Sequence, residues 1–351
     1  MTEEVYLGID TSCYTTSLFF MNRQGQKVAE ARRILKVKPG GCGLQQSEML
    51  YQHTRNLPEL MEEAVQGHAF SLLGIGVSAR PRPREDSYMP AFLAGQGFAR
   101  SLAALYRIPL WQISHQENHL EAAMWSAKGP GTDRFLFLHA SGGTTDLLLV
   151  EKMDMFEPGA TGGLSVADMV QAEENAVGTV ALTNPKEKVV ANYRLTEIGG
   201  SLDLHAGQFV DRAGVALGLD FPAGPALEKL AEQHTEIMEV PVSVHKTNVS
   251  FSGPCTWVLR QIEQNNFAAN IAAGVQWGLA ETFVRMIRNG ATEHHVKDVI
   301  LAGGVSANQW IRNRIIEKLS RRQINVWLPE NRYSGDNASG CAAYARRQQE
   351  G

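Results

Sequence analysis

Two histidines and a distant aspartate have the residue types and spacing of a metal site. His115 and His119 are four residues apart, so they share one face of a helix if that segment is helical. Asp336 would add a carboxylate, and two histidines with one carboxylate suit Fe(II) or Zn(II), between which the sequence does not choose. Glu117 points to another face and does not reproduce a metalloprotease HExxH base. A hydrogen-bonded histidine pair near the surface is the alternative for an arbitrary HxxxH pattern.

Two glycine-rich segments are candidates for binding a nucleotide. Ala140-Ser-Gly-Gly-Thr144 and Gly303-Gly-Val-Ser-Ala-Asn308 each follow an apolar run, and paired glycines let backbone N–H groups approach an anion. The alternatives are a plain hairpin turn at the first segment and a helix cap by Asn308 at the second. A nucleotide held beside a metal ion is therefore the first functional hypothesis.

Three further segments carry polar groups that suit a nucleotide or a nucleic acid. Asp211 is predicted on a helix, near the loop that contains Gly224, and an acidic side chain there can bind ribose hydroxyls. A solvated aspartate is the commoner explanation. Arg80-Pro-Arg-Pro-Arg84 is a basic run at a predicted strand end, which indicates either a phosphate or RNA contact or an exposed loop without a ligand.

These residues must be positioned by alternating strands and helices, which predicts an α/β fold. The predicted strands cover 5–10, 15–21, 73–78, 110–113, 135–140, 146–150, 298–302 and 324–328. The predicted helices cover 49–66, 89–106, 115–126, 267–289, 307–319 and 338–348. Pro58 is expected to kink the first helix or split it in two. Both halves open with a strand-turn-strand, which favours a nucleotide cleft between two similar lobes, and 153–192 is interpreted as a surface insertion.

Composition limits the classes of protein to consider. The 351 residues carry a net charge of −4, so any nucleic-acid contact must be a local patch or depend on another subunit. The first residues are polar and lead into a strand rather than a signal peptide, and no apolar run approaches the roughly 18 residues that span a bilayer. The four cysteines lack a CxxC pairing, which is typical of a reducing compartment. We therefore expect a cytoplasmic protein without a membrane segment.

The order of these motifs resembles the TsaD/Kae (Gcp, glycoprotease-like) family of the actin-like ATPase superfamily. The matching segments are Gly8-Ile-Asp-Thr-Ser-Cys13, His115-x3-His119, Ala140-Ser-Gly-Gly-Thr144, 202–212, 221–230, 249–253, Gly303-Gly-Val-Ser-Ala-Asn308 and Gly335-Asp-Asn337. The resemblance implies a two-lobed actin-like (ASKHA) fold with duplicated βββαβα-type lobes. One lobe is expected over 1–110 with helix 338–351 packed back on it, and the other over 111–337.

The resemblance also implies an activity, a set of ligands and partners. Family members transfer threonylcarbamoyl from threonylcarbamoyl-AMP to N6 of adenosine 37 in tRNA, beside a smaller actin-like paralogue and a P-loop ATPase. His115, His119 and Asp336 would hold one divalent ion (iron or zinc). An ATP/AMP-type nucleotide or the adenylate would be held by Ala140, Ser141, Gly142, Gly143, Thr144, Asp211, Gly224, Glu228 and Asn308. No residue is assigned as catalytic.

Several positions depart from the family pattern. Tyr14 and Thr15 replace an acidic pair, and Pro81-Arg-Pro83 replaces a glycine-rich turn. Thr144, Gln208 and Cys255 also replace family residues. These changes indicate a divergent paralogue. The alternative function is a nucleotide- and metal-binding paralogue without transferase activity, regulatory or acting on another small substrate.

Overall fold

Two five-stranded mixed sheets with the same topology organise the computed structural model, which describes residues 2–37, 43–84, 86–153 and 193–350. The strand order is β3-β2-β1-β4-β5 in the first sheet and β12-β11-β6-β7-β8 in the second. In each sheet the first three strands in chain order form an antiparallel meander, and the last two add in parallel to its first strand. The predicted duplication is therefore present in the strand order.

The first sheet and its helices occupy the N-terminal part of the chain. Its elements are β1 (Glu3–Asp10), β2 (Thr15–Asn22), β3 (Lys27–Ile34), α1 (Gln46–Val65), β4 (Phe70–Arg80), α2 (Phe92–Tyr106) and β5 (Leu110–Ser114). β1 and β2 are buried along most of their length, as expected for strands covered on both faces. β3 alternates buried and exposed residues at the sheet edge.

The second sheet follows helix α3 (His115–Ala127). Its elements are β6 (Arg134–Ala140), β7 (Thr145–Lys152), β8 (Tyr193–Gly200), α4 (Ala206–Ala216), α5 (Gly224–Ala231), β9 (Ser243–His245), β10 (Asn248–Ser250), α6 (Ser252–Glu263), α7 (Ala268–His294), β11 (Asp298–Ala302), α8 (Gln309–Ser320), β12 (Asn325–Trp327) and α9 (Ser339–Glu350). Helix α7 is buried along most of its length and forms the centre of the larger hydrophobic core.

The structure corrects one local expectation. Helix α1 continues through Pro58, so the alternative that this proline splits the helix in two is wrong, while the alternative of a kink stays a prediction. Buried His53, Leu57 and Leu60 on the same helix pack toward the first sheet, and this tertiary packing outweighs the local cost of proline. The predicted insertion, 153–192, lies outside the described residues apart from Met153.

The C-terminal helix α9 packs on the first sheet. A Cβ atom at Gly8 of β1 would lie 2.1 Å from the carbonyl oxygen of Ala338, and one at Gly76 of β4 would lie 2.0 Å from that of Cys341. Such close backbone approach requires glycine at both positions. The predicted division at residue 110 falls where β5 begins, and the lobe boundaries stay a prediction. Within the described residues, no helix is long and apolar enough to cross a membrane.

Candidate functional site

A cavity of about 1010 Å³ lies between the two sheets. The loops that follow β1, β4, β6 and β11 line it, so strand ends from both sheets converge there. Among the lining residues are His115 and Asp336, the turn 141–144 and Asn308. Ligands in α/β proteins bind in such crevices outside the strand ends.

The structure brings the three predicted metal ligands together at the side of this cavity. His115 Nε2 and His119 Nε2 are 3.1 Å apart, and Asp336 Oδ1 lies 3.5 Å and 3.3 Å from them, respectively. In tetrahedral coordination, donor atoms that each lie about 2.0–2.1 Å from the ion are roughly 3.3 Å from one another. Because the three ligand atoms already have this spacing, the donor set fits one divalent ion.

Helix α3 holds both histidines at its N-terminal end. Ser114 caps the helix by accepting from Glu117 N, and Glu117 Oε2 accepts from Ser114 N at 2.7 Å. This capping box occupies Glu117 and keeps it away from the metal ligands, as the spacing predicted. Since the cap fixes the first turn, it also fixes the face that carries His115 and His119.

A second set of contacts fixes Asp336 beside helix α3. Asn118 Nδ2 donates to the carbonyl of Asn337 at 2.7 Å, and Asn118 Oδ1 accepts from Cys341 N at 2.9 Å. A Cβ atom at Gly340 would lie 1.9 Å from the carbonyl oxygen of Asn118, so the start of α9 touches α3 directly. These contacts explain how residues more than two hundred positions apart share one site.

Burial and carboxylates give the two histidines opposite protonation behaviour. Burial alone lowers the pKa of a histidine, but at His115 the carboxylates of Asp10 and Asp336 outweigh it and raise the pKa to about 10. Burial and the neighbouring His115 lower the pKa of His119. Burial opposes ionisation of Asp336, yet hydrogen bonds from both histidines lower its pKa below the usual range. The carboxylate of Asp336 is therefore ionised at neutral pH.

A third histidine in this region escaped the sequence analysis. His139 is 1% exposed, lines the cavity and has its ring centroid 4.3 Å from that of His119. Neither of its ring nitrogens has a hydrogen-bond partner in the described chain, and burial lowers its pKa far below the usual value. The cluster of three ligand atoms does not include it. Its one sequence signal is a histidine next to the last residue of an apolar strand that leads into the glycine turn.

The first glycine turn forms an open cradle on the cavity wall. Ser141 N donates to Thr144 O at 2.8 Å, and Gly207 N of α4 donates to Ser141 O at 3.0 Å. The Cβ directions of Gly142 and Gly143 point into open space, so their backbone is accessible from the cavity. Ala140 is fully buried at the end of β6, beneath the turn. Gly143 N donates to Ser141 Oγ at 3.3 Å, and the remaining exposed backbone of the turn is suited to an anion.

The second glycine turn contacts the first. Gly303 has φ +97°, and a Cβ atom there would lie 2.2 Å from the carbonyl oxygen of Ala140, whereas Gly304 faces open space. Asn308 caps helix α8 by accepting from Ile311 N at 2.9 Å. The structure therefore shows the capping contact that was the alternative role of Asn308, although the residue also lines the cavity.

The remaining predicted nucleotide ligands line the same cavity from helices α4 and α5. Asp211 Oδ1 accepts from Ala223 N at 2.8 Å, and burial raises the pKa of Asp211. Glu228 Oε1 accepts from Gln309 N at 2.7 Å. Gly224 begins α5 between these residues. The carboxylates of Asp211 and Glu228 thus already accept hydrogen bonds from backbone amides. Both residues and Gly224 line the cavity.

The proline-arginine turn after β4 makes a contact between the sheets. Arg82 Nη2 lies 3.0 Å from Asp146 Oδ2 of β7, and Gln116 Nε2 donates to the same oxygen at 3.1 Å. Burial raises the pKa of Asp146 to about 6, although Arg82 opposes the shift. The basic run identified in the sequence therefore places one guanidinium at the cavity, paired with a buried carboxylate.

The sequence of this chain matches the model of a known protein family. The model for TsaD, described as tRNA N6-adenosine threonylcarbamoyltransferase, matches residues 165–343. This chain belongs to the TsaD family. The predicted family of acyltransferases acting on tRNA is thereby confirmed, and the alternative of a paralogue without transferase activity is not favoured.

Relatives in the TsaD family match over most of the chain. The tRNA N6-adenosine threonylcarbamoyltransferase of Methanopyrus kandleri is 27% identical over 308 residues, covering 87% of this chain and 77% of the relative. The protein of the same name from Prochlorococcus marinus (strain MIT 9215) is 28% identical over 364 residues, covering 97% and 90%.

Solved structures confirm the predicted actin-like fold. The (R)-2-hydroxyglutaryl-CoA dehydratase component A of Acidaminococcus fermentans aligns with a TM-score of 0.54 and 15% identity, covering 99% of both chains. Full-length HypF aligns with a TM-score of 0.55 and 14% identity, covering all of this chain and 47% of HypF. A ROK family glucokinase from Streptomyces griseus reaches 0.50, with 13% identity, 98% coverage of this chain and 99% of the glucokinase. At these identities the likeness shows the fold alone.

Proposed function

We propose that this TsaD-family chain transfers a threonylcarbamoyl group from threonylcarbamoyl-AMP to N6 of adenosine 37 of tRNA. The observation that carries the proposal is one cavity whose lining includes both His115 and Asp336 of the ligand cluster and the glycine turn 141–144. A group-transfer enzyme that releases AMP needs a phosphate cradle next to the reacting carbonyl, and the cavity has room for both parts.

His115, His119 and Asp336 would hold one divalent ion, iron or zinc. When bound, the ion supplies Lewis-acid polarisation of carbamoyl and phosphate oxygens. The chain prepares this site before any ion arrives, because the capping box and Asn118 fix the ligands. The lowered pKa of His119 keeps its imidazole neutral, which is the form that can ligate a metal, whereas His115, with its pKa raised to about 10, must release a proton when the metal binds.

The two glycine turns would hold the adenylate. Amides of Gly142 and Gly304 can approach its phosphate, since no Cβ atom obstructs that approach, whereas Gly143 N already donates to Ser141 Oγ at 3.3 Å. Asp211, Gly224 and Glu228, on the wall formed by α4 and α5, would accept the ribose and base. Departure of AMP is then assisted by amides already fixed in place, without reorganisation at the moment of reaction.

Macromolecular partners follow from the same proposal. The acceptor is tRNA, and we infer a smaller actin-like paralogue and a P-loop ATPase as companion subunits. With a net charge of −4, the chain does not attract tRNA by its overall charge, so basic groups near the cavity or on a companion must contribute.

Metal loading tests the site. Asp336→Ala or His115→Ala should lose the bound metal, measured by elemental analysis of the purified protein, and should lose transfer of labelled threonylcarbamoyl from its adenylate to unmodified tRNA. Exposed His68 lies outside the cavity lining, so His68→Ala is a matched control that should keep wild-type metal content and transfer. Unchanged metal content in Asp336→Ala would reject the ligand assignment, and a wild-type protein that binds the adenylate without labelling tRNA would reject the transferase.

A further inference from the structure

Asp10 is a buried carboxylate beside the proposed metal site, and its role is not explained by the ligands described above. It ends strand β1 and is 0% exposed. Ser12 Oγ donates to Asp10 Oδ2 at 2.6 Å, and Ser78 Oγ at the end of β4 donates to Asp10 Oδ1. Burying a carboxylate costs free energy unless hydrogen-bond donors replace the lost water. The hydroxyls of Ser12 and Ser78 do so for Asp10.

The carboxylate of Asp10 faces the ring nitrogen of His115 that points away from the ligand cluster. His115 Nδ1 lies 3.5 Å from Asp10 Oδ1, and it is buried without a hydrogen-bond partner in the described residues. His115 Nε2, on the other side of the ring, faces His119 and Asp336. The ring is thus placed between a carboxylate and the ligand cluster.

We propose that Asp10 is a positioning residue that accepts a hydrogen bond from His115 Nδ1 and so fixes the tautomer that presents Nε2 to the metal. This inference rests on the metal site in the proposed function. A histidine ligand commonly donates its second N–H to a carboxylate, which orients the ring and makes it a better ligand. Here Ser12 and Ser78 orient Asp10 in turn, so the chain of contacts runs from serine to aspartate to histidine.

The arrangement couples the first sheet to the metal site. Asp10 and Ser78 stand at the ends of the adjacent strands β1 and β4, whereas Asp336 precedes α9. The metal ligands are therefore held from two sides, by the ends of the first sheet and by the contact between α3 and α9.

Zinc affinity of matched variants tests this role. Zn²⁺ binding is measured by competition with a chromophoric chelator for the wild type, Asp10→Asn and Asp146→Asn. Asp10→Asn should weaken zinc binding by about 10–100-fold. Asp146→Asn changes another buried carboxylate, which pairs with Arg82 and Gln116 rather than with His115 or His119, and should match the wild type. Wild-type zinc affinity in folded Asp10→Asn would overturn the role of Asp10.

The tautomer of His115 gives an independent readout that does not depend on any variant folding. In zinc-loaded wild-type protein, ¹⁵N NMR of the His115 ring should show a proton on Nδ1 and metal on Nε2. Metal on Nδ1, or a proton exchanging freely from Nδ1, would overturn the proposal. Failure of the wild type to bind either Zn²⁺ or Fe²⁺ would reject the metal site itself, whereas zinc binding with an unaffected Asp10→Asn variant would reject only the positioning role.

Discussion

At the scale of single residues, the balance between burial and neighbouring carboxylates decides which protonation state each buried histidine adopts. His115 and His119 are one helical turn apart, yet the pKa of the first is raised by two carboxylates and that of the second is lowered. His53, which is 0% exposed and has Nδ1 2.8 Å from Thr16 Oγ1, has no comparable compensation. Burial lowers its pKa to about 4.

His53 should make the protein sensitive to mild acid. Its pKa is about 6.5 when unfolded and about 4 when folded, so the unfolded state binds the proton first as pH falls. The free energy of unfolding should fall by about 3 kcal/mol between pH 6.5 and 4 on account of this group. His53→Gln should remove that part of the decline, measured by urea denaturation across the pH range.

The matched control for this prediction is His68→Gln, because His68 is exposed. It should keep the wild-type dependence of stability on pH. If His53→Gln declines between pH 6.5 and 4 as steeply as the wild type, His53 is not held neutral by burial.

At the scale of elements, the two glycine turns depend on one backbone contact. Gly303 has φ +97°, and the carbonyl of Ala140 occupies the position that a Cβ atom on Gly303 would take. Gly303→Ala should destabilise the protein by about 1–3 kcal/mol from backbone strain alone. The steric clash should add to this and shift both turns, weakening adenylate binding in calorimetry.

The neighbouring glycine provides the comparison. Gly304 has open space in its Cβ direction and no left-handed conformation, so Gly304→Ala should keep the stability of the wild type. Equal melting temperatures for the two variants would show that the contact between the turns has no energetic importance.

Elements with strong local periodicity could be predicted from the sequence. The hairpin β6–β7, the strand before Gly303 and the helix that carries His115 all appeared near their predicted positions. The edge strands β3 and β8 were missed because their polar, alternating residues resemble loops. The continuation of α1 through Pro58 depends on packing against the sheet, which no local rule contains.

The contacts of the site were less accessible to prediction than its ligands. Residue type and spacing, together with family resemblance, identified His115, His119 and Asp336. The contact of Asp10 with His115 arises because β1, which ends at Asp10, and β5, which ends just before His115, lie in one sheet. The proximity of His139 to His119 arises because strand ends from two sheets meet, and only the topology brings them together. The pairing of Arg82 with Asp146 has the same origin.

At the scale of the whole molecule, the C-terminal helix connects the first sheet to the metal site. Gly8→Ala would place a Cβ atom 2.1 Å from the carbonyl of Ala338, two residues after Asp336. Overpacking of this kind typically costs about 1–3 kcal/mol. The variant should lower both the melting temperature and the zinc affinity, because displacement of α9 moves Asp336 away from the histidines.

An exposed glycine on helix α2 serves as the control. Gly97 has open space around its Cβ direction, so Gly97→Ala should leave zinc affinity unchanged and stabilise the helix by about 0.5–1 kcal/mol. Wild-type zinc affinity in a destabilised Gly8→Ala protein would show that α9 does not position Asp336.

The most direct test of the account is a transfer assay read by mass spectrometry of the tRNA. Metal-depleted protein, the same protein reloaded with iron or zinc, and Asp336→Ala are each given threonylcarbamoyl-AMP and unmodified tRNA, with and without companion subunits. The account predicts a threonylcarbamoyl mass gain at adenosine 37 that disappears on depletion, returns on reloading and is absent from Asp336→Ala. No mass gain from reloaded protein that binds the adenylate, or an equal gain from depleted protein, would contradict it.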